Sequence, residues 1–316
     1  ASAGTTWHVD AAAPCPGAGT IGSPYCTIQA ALGAANPGDE ILVAPGLYTE
    51  QLDFLGKDVE LRSPAGAATT IVDAGQLGTV VTFDDGESRA ALLRGFTLRN
   101  GLGIFNGLGA GIHCEGSSPT IADNVIEDCH GISGGGLALL GGSPLVVGNI
   151  VRDNTADFGA GIACDQGTSA QILDNQIVSN GFFGTTGGGI NVLVSSVRIE
   201  GNLIEGNNSA SGAGIYVESN ETIVIGNAIR SNVADEGDGG GLFTFPGTLV
   251  EDNLIADNFA FGDGSGAYAY GGTYRNNQIS GNSSSNGFTV VMENGASFEG
   301  DAIVENDAIV GVVKAN

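Results

Sequence analysis

The chain has 316 residues, 42% of them apolar and 14% charged, with 54 glycines, enough to bury a sizeable core that is constantly punctuated. Ten Lys and Arg stand against 35 Asp and Glu, a formal charge of -25, which repels nucleic acid and anionic membrane surfaces and leaves a polyanionic ligand dependent on bridging cations. No apolar run approaches the roughly 18 residues that would insert into a membrane, and Ala1-Ser2-Ala3 opens the chain without charged and apolar leader regions, as after removal of a signal peptide.

In chain order, Cys15 and Cys26 first bracket a Gly/Pro-rich loop without periodicity, where a disulfide would remove loop entropy; free thiols or a metal pair are the alternatives. Thr27 to Asn36 carries Ile28, Ala31, Leu32 and Ala35 at helical spacing, with Thr27 as N-cap and Asn36-Pro37-Gly38 as a stop, which predicts one short amphipathic helix. Strand-like segments follow at Glu40 to Ala44, Val59 to Arg62, Thr70 to Asp73, Val80 to Phe83 and Leu92 to Leu98. A helix laid across the first of these would cover the open end of a stacked fold.

From residue 107 the sequence repeats. A Gly-x-Gly-(Ile/Leu) element begins at Gly109, Gly134, Gly159, Gly187, Gly212 and Gly239, with a degenerate copy at Gly264. An Asn-x-(Ile/Val)-x-x-Asn element follows each, beginning at Asn124, Asn149, Asn175, Asn202, Asn227, Asn253 and Asn277; Cys129 replaces its last Asn once, and Asp301 to Asn306 is an edited eighth copy. Short β-branched stretches between them, such as Thr120-Ile121 and Ile172-Leu173, are too brief for helices. Each period of about 25 residues therefore holds about three short strands, and stacking gives each strand parallel partners about 4.8 Å above and below. Ile112, Leu137, Ile162, Ile190, Ile215 and Leu242 form one inward column, and the recurring Asn predicts a buried amide ladder in a turn. A leucine-rich repeat has a similar period but requires Leu at several fixed offsets, which this chain lacks. The expected fold is all-β, a parallel β-helix solenoid of about ten coils with a short N-terminal capping helix. A single domain is expected over 1–316: cap 1–39, irregular first coils 40–106, regular repeats 107–306 and a C-terminal tail 307–316.

The runs Thr27-Ile28-Gln29-Ala30-Ala31-Leu32, Pro37-Gly38-Asp39-Glu40-Ile41 and Ala44-Pro45-Gly46-Leu47-Tyr48-Thr49-Glu50 resemble the cap and first coil of secreted bacterial right-handed β-helix proteins, the pectate-lyase-like superfamily. The alternating Gly-x-Gly-Ile and Asn-x-Ile-x-x-Asn elements are similar to repeats of chlamydial polymorphic outer-membrane proteins. The resemblance implies a secreted or cell-surface location, extracellular or periplasmic, and a polysaccharide or cell-surface glycan as partner. It spans lyases, hydrolases, epimerases and adhesins, so it implies no single activity. Polygalacturonase-like motifs are incomplete: Asp84-Asp85 is present, but His130-Gly131 follows Cys129, and Glu200 follows Arg198-Ile199. The pectate-lyase pattern begins at Arg62-Ser63-Pro64 and fails at Ala67.

Strand alternation after each Gly-x-Gly gives two outward columns. One is His113, Ala138, Ala163, Asn191, Tyr216, Phe243, Tyr268; the other is Glu115, Leu140, Asp165, Leu193, Glu218, Phe245, Tyr270. A one-residue slip would bury Asp165 and Glu218 and expose the Ile/Leu column. Asn191, Tyr216, Phe243, Phe245, Tyr268 and Tyr270 are the expected substrate-binding residues, with Phe158, Phe182, Phe183, Phe259 and Phe261 in the adjoining turns. Cover of this face by a tail or a partner subunit is the alternative. Asp165 and Glu218, two coils or about 9.6 Å apart, are the candidate catalytic pair, near the upper end of the roughly 6.5–9.5 Å range for inverting glycosidases. Acidic residues alternating with apolar ones also simply avoid like charges on adjacent coils. His113 is a candidate base or an ordinary surface residue.

Glu127 with Arg152, and Glu205 with Arg230, fall at one repeat position and should pair across coils. No cofactor and no metal site is implied; calcium is the one cation to weigh, at Asp235-Glu236-Gly237-Asp238, which matches no full calcium-loop spacing. Cys114, Cys129 and Cys164 are expected to fill core slots unlinked. Two functional classes follow: a secreted carbohydrate-active enzyme, with hydrolysis of a neutral or weakly charged glycan favoured over polyuronate elimination, and a non-catalytic adhesin or surface structural protein. The lysines, Lys57 and Lys314, lie outside the aromatic strands.

Overall fold

The computed structural model describes residues 4–103, 107–181, 185–219, 221–285 and 287–307. It is a parallel β-solenoid of about ten turns, with strands collected into three long sheets of 12, 10 and 11 members. In one coil Ile112–Glu115, Thr120–Ala122 and Val125–Glu127 supply one strand to each sheet. They pair in parallel with Leu137–Leu140, Leu145–Val147 and Ile150–Arg152 of the next coil. The sheet containing Ile112–Glu115 is called the central sheet below. From residue 208 a fourth, four-stranded sheet joins the coil, built from Asn208–Ser209, Val233–Ala234, Phe259–Ala260 and Ser283–Ser284.

Strands of three or four residues are too short to stand alone, so stability comes from stacking. The inward column Ile112, Leu137, Ile162, Ile190, Ile215 and Leu242 is completely buried, as the repeat predicts. Cys114 and Cys164 occupy the same wall, with Leu139 between them in register, and both are buried free thiols. Burial pushes the Cys114 and Cys129 thiols up to about 12 and raises Cys164 as well, so all three are inert as nucleophiles. Cys15 and Cys26 form the disulfide across the N-terminal loop.

Two asparagine ladders run along the solenoid. In the first, Asn124 to Asn277, each Oδ1 from Asn149 onward accepts both the backbone N–H and the Nδ2 of the preceding rung; Asn202 Oδ1 takes Asn175 N at 2.9 Å and Nδ2 at 3.0 Å. Each Nδ2 also donates to a carbonyl of the coil before, as Asn202 does to Ile172 O at 2.9 Å. The second ladder is made by the last Asn of each motif, from Asn154 to Asn306, with Cys129 at its head donating its backbone N–H to Asn154 Oδ1. The turns between ladders need left-handed backbone. At Gly201, φ is 66° and a Cβ would lie 2.5 Å from Asp174 Oδ1 of the preceding coil, so Gly is the residue that fits that turn without displacing the carboxylate. The predicted cross-coil pairs form: Glu127 to Arg152 at 2.5 Å and Glu205 to Arg230 at 3.2 Å.

The single helix among the described residues spans Ile28–Ala34 and buries Ile28, Ala31 and Leu32 on the first coils, two residues shorter at its C-terminal end than the sequence suggests. Thr27 makes no side-chain cap. Glu50 replaces it: its two carboxylate oxygens accept the N–H groups of Ile28 and Gln29, both at 2.9 Å. Lys57 Nζ donates to the Leu32 and Gly33 carbonyls at the other end. Long-range side chains thus satisfy two of the free donors at one helix terminus and two of the free acceptors at the other, and their charges oppose the helix dipole.

Candidate functional site

The outward face of the central sheet is not uniformly open. The turn before each strand doubles back against it, and Leu108, Ser133, Phe158, Thr186 and Ser211 form a column of isolated parallel bridges from coil to coil. Contact is close enough that a Cβ on Gly212, at φ 59°, would lie 2.8 Å from Tyr216 Cβ. This path explains the first Gly of the Gly-x-Gly element better than flexibility does. Its consequence is that Ala138, Leu140 and Ala163 are buried despite their outward parity. Asn191, expected to meet substrate, is only 1% exposed; its Nδ2 donates to Thr186 Oγ1 and its Oδ1 is buried without a partner among the described residues. Phe182 and Phe183 lie outside the described residues.

From Tyr216 onward the face opens and carries rings. Tyr216 stacks on Phe243 with centroids 5.3 Å apart, and Phe243 on Tyr268 at 4.7 Å. In-register pairing continues this column to Asn191 on one side and Val291, 1% exposed, on the other. Phe245 packs edgewise on Tyr216 and Tyr270, at 5.9 and 5.5 Å. The rings therefore spend their faces on one another and present edges to solvent. Tyr270 is the most open, at 38%.

The carboxylates lie beside this wall. Glu218 is exposed, and Tyr216 Oη donates to its Oε2 at 3.3 Å; burial and the neighbouring carboxylate push the Tyr216 phenol up to about 12, so it stays protonated. Asp165 sits in the same outward column, two coils before Glu218, with half-buried Leu193 between them. Its Oδ1 accepts the Gln166 N–H at 2.6 Å. Turns following the strands enclose a depression of about 480 Å3 that includes Glu218, Glu221, Ser196, Phe245 and Pro246; Asp165 does not line it. Glu221 and Ser196 escaped the sequence reading because they occupy turns, where no alternation marks which side chains face a common space.

At the other end of the central sheet His113 Nε2 is 3.3 Å from Glu115 Oε2, and His113 Nδ1 is buried without a partner among the described residues. On the two preceding coils, Asp53 and then Asp84 with Asp85 bring carboxylate oxygens within 4.8 Å of one another, the one such group of three among the described residues. Burial, then Asp53 and Asp85, raise the Asp84 carboxyl above its usual range. Asp235, Glu236 and Asp238 do not converge in this way. Asp238 instead accepts the Asp263 N–H at 2.6 Å, and burial with the Asp263 and Glu293 charges raises its carboxyl.

Residues 78–229 match a family described as a right handed beta helix region. No curated protein matches the chain in sequence. Among solved structures, XylC in complex with xylose aligns at TM-score 0.63 and 14% identity, over 89% of this chain and 70% of XylC. Pectate lyase Pel9A aligns at 0.55 and 14% identity, over 98% of this chain and 79% of its own. The PL6 family alginate lyase AlyGC aligns at 0.51 and 14% identity, over 91% of this chain and 52% of its own. At such identities the likeness carries the fold alone, a right-handed β-helix that these proteins share.

Proposed function

We propose that the protein is a secreted, carbohydrate-interacting β-helix that holds a glycan along Tyr216, Glu218, Phe243, Phe245, Tyr268 and Tyr270. The observation that carries this reading is the wall of partly exposed rings with Glu218 beside it, fixed on rigid strands so that binding requires little ordering. Because the faces of Phe243 are covered, a sugar meets ring edges, tyrosine hydroxyls and the open side of Tyr270. Asn191 supports the wall from beneath. The disulfide and the likeness to XylC, which binds xylose, and to a pectate lyase and an alginate lyase support an extracytoplasmic location and a polysaccharide partner.

As an enzyme, the protein would hydrolyse a neutral or weakly charged glycan, with Asp165 and Glu218 as the carboxyl pair flanking the scissile bond. The charge of -25 and the missing lyase motifs weigh against polyuronate elimination. A non-catalytic adhesin or surface protein is the second reading. It is favoured by Leu193 standing between the two carboxylates and by the Gln166 bond to Asp165. Incubation with a polysaccharide panel, scoring reducing ends, unsaturated products and binding together, separates these readings. New reducing ends abolished by both Asp165→Asn and Glu218→Gln would establish hydrolysis, and binding without product would establish the adhesin. Calcium-dependent release of unsaturated uronates would overturn both in favour of a lyase.

A further inference from the structure

The two ends of the solenoid are finished differently. At the first coils the helix Ile28–Ala34 lies over the core. At the other end Ser283–Ser284, Val290–Glu293, Ser297–Glu299 and Ala302–Val304 each stand last in their sheet, paired on one side only among the described residues. Such strands leave a row of backbone donors and acceptors unpaired. The core is open there too: Ala269, Tyr274 and Ile279 are completely buried, whereas Met292, Phe298 and Ile303, which follow them in register on the last coil, are half-buried. Val304 is 47% exposed.

We propose that this open end is the docking surface for residues 308–316 of the same chain, which lie outside the described residues. Asp307 donates its N–H to Asn282 O at 3.1 Å, as Ser283 does to Asn258 O at 3.0 Å, so the chain is still in coil register where it meets the unpaired edge. Ile309, Val310, Val312 and Val313 come next, β-branched residues suited to pairing with a strand edge and to covering apolar side chains. At about 3.3 Å per residue, nine residues reach about 30 Å, enough to cross a face whose edge strands are short. Charge decides the occupant. Glu293, Glu299, Asp301, Glu305 and Asp307 lie on the last coil, Arg275 of the coil before pairs with Glu299 at 3.4 Å, and no Lys, Arg or His lies between Val290 and Asp307. A second copy seated end to end would set the same carboxylates against these, and like charges facing each other oppose association. Residues 308–316 instead bring Lys314 and no Asp or Glu. A tethered segment also acts at a far higher effective concentration than a free copy.

The test is amide hydrogen exchange, read by mass spectrometry on the full chain and on a chain ending at Asp307. In the full chain the amides of residues 308–316 should exchange at least about tenfold more slowly than in a free peptide of that sequence. Removing them should speed exchange in Val290–Glu293, Ser297–Glu299 and Ala302–Val304 by at least about tenfold, while Ile112–Glu115 stays as protected as before. Amides of 308–316 that exchange as freely as the peptide overturn the proposal. A last coil that exchanges equally with and without them also overturns it, since the segment then docks elsewhere. Protection of the last coil that rises with protein concentration, beside a dimer in sedimentation, gives the end to a second copy and overturns it too. The comparison of the full chain with the free peptide decides the matter even where the shortened chain does not fold.

Discussion

Tyr268 lies flat against Phe243, with the ring centroids 4.7 Å apart and the planes 6° from parallel. The arrangement divides the aromatic residues into rings that hold the surface together and rings that are free to meet a ligand. Phe243, covered on both faces by Tyr216 and Tyr268, belongs to the first group, and Tyr270 to the second.

Phe243→Ala should therefore lower stability by about 1–3 kcal/mol, since it breaks two ring pairs each contributing about 0.5–1.5 kcal/mol. Tyr270→Ala should leave the melting temperature in place and weaken glycan binding by about 1–2 kcal/mol. Chemical denaturation and titration of the two variants side by side check this. Unchanged affinity in Tyr270→Ala for every glycan bound by the wild type would remove the ring edges from the site.

Asn202 is a central rung of the first ladder, accepting from Asn175 and donating to Asn227, Ile172 and Glu200. Asn202→Ala would leave several buried groups unpaired, each costing about 1–3 kcal/mol, so urea denaturation should show a loss above about 3 kcal/mol. A loss below about 1 kcal/mol would mean that water replaces the amide freely.

Asp301 occupies a rung of the same ladder, and its Oδ1 accepts Asn277 N and Nδ2 at 2.8 and 2.7 Å. Its Oδ2 is buried without a partner among the described residues. Asn277 at that place donates to Val250 O, and register makes Tyr274 the matching residue one coil on. Asp301→Asn restores the donor and should raise stability by about 1 kcal/mol. A lower melting temperature in this variant would show that the ladder ends before this coil.

Asp238 has its carboxyl raised by burial and by Asp263 and Glu293. A raised carboxyl binds its proton more tightly in the folded chain, so its ionisation disfavours the fold as pH climbs from the ordinary carboxylate range through the raised value. Asp238→Asn keeps the acceptor for Asp263 N–H and should raise the melting temperature at pH 7. The gain should vanish below about pH 4, where the wild-type residue is protonated too. A gain independent of pH would point to packing instead of charge.

The coil register was legible because chemistry recurs at a fixed period: an amide at Asn124, Asn149 and Asn175, and Ile or Leu at 112, 137 and 162, allow only one in-register stack. Cross-coil pairs such as Glu127 with Arg152 followed from the same periodicity. The candidate face was legible only in its parity. Period-two reasoning places Asn191 outside the sheet, but it does not describe the turn through Thr186 that covers it. Ring orientation was equally hidden, since the spacing that lines up Tyr216, Phe243 and Tyr268 for a ligand also lines them up for each other. Asp53 joins Asp84 and Asp85 from an irregular early coil, where no repeat marks the correspondence.

The helix Ile28–Ala34 is clasped by Glu50 at one end and Lys57 at the other, and Gln29 bridges to the backbone of Asp53 between them. Seven residues are too few to persist as an isolated helix in water. The end-stop of this solenoid is therefore not a portable part. Grafted onto another stack without the segment from 50 to 57, it would arrive as loose chain, because the groups that make it a helix belong to the coil it shields.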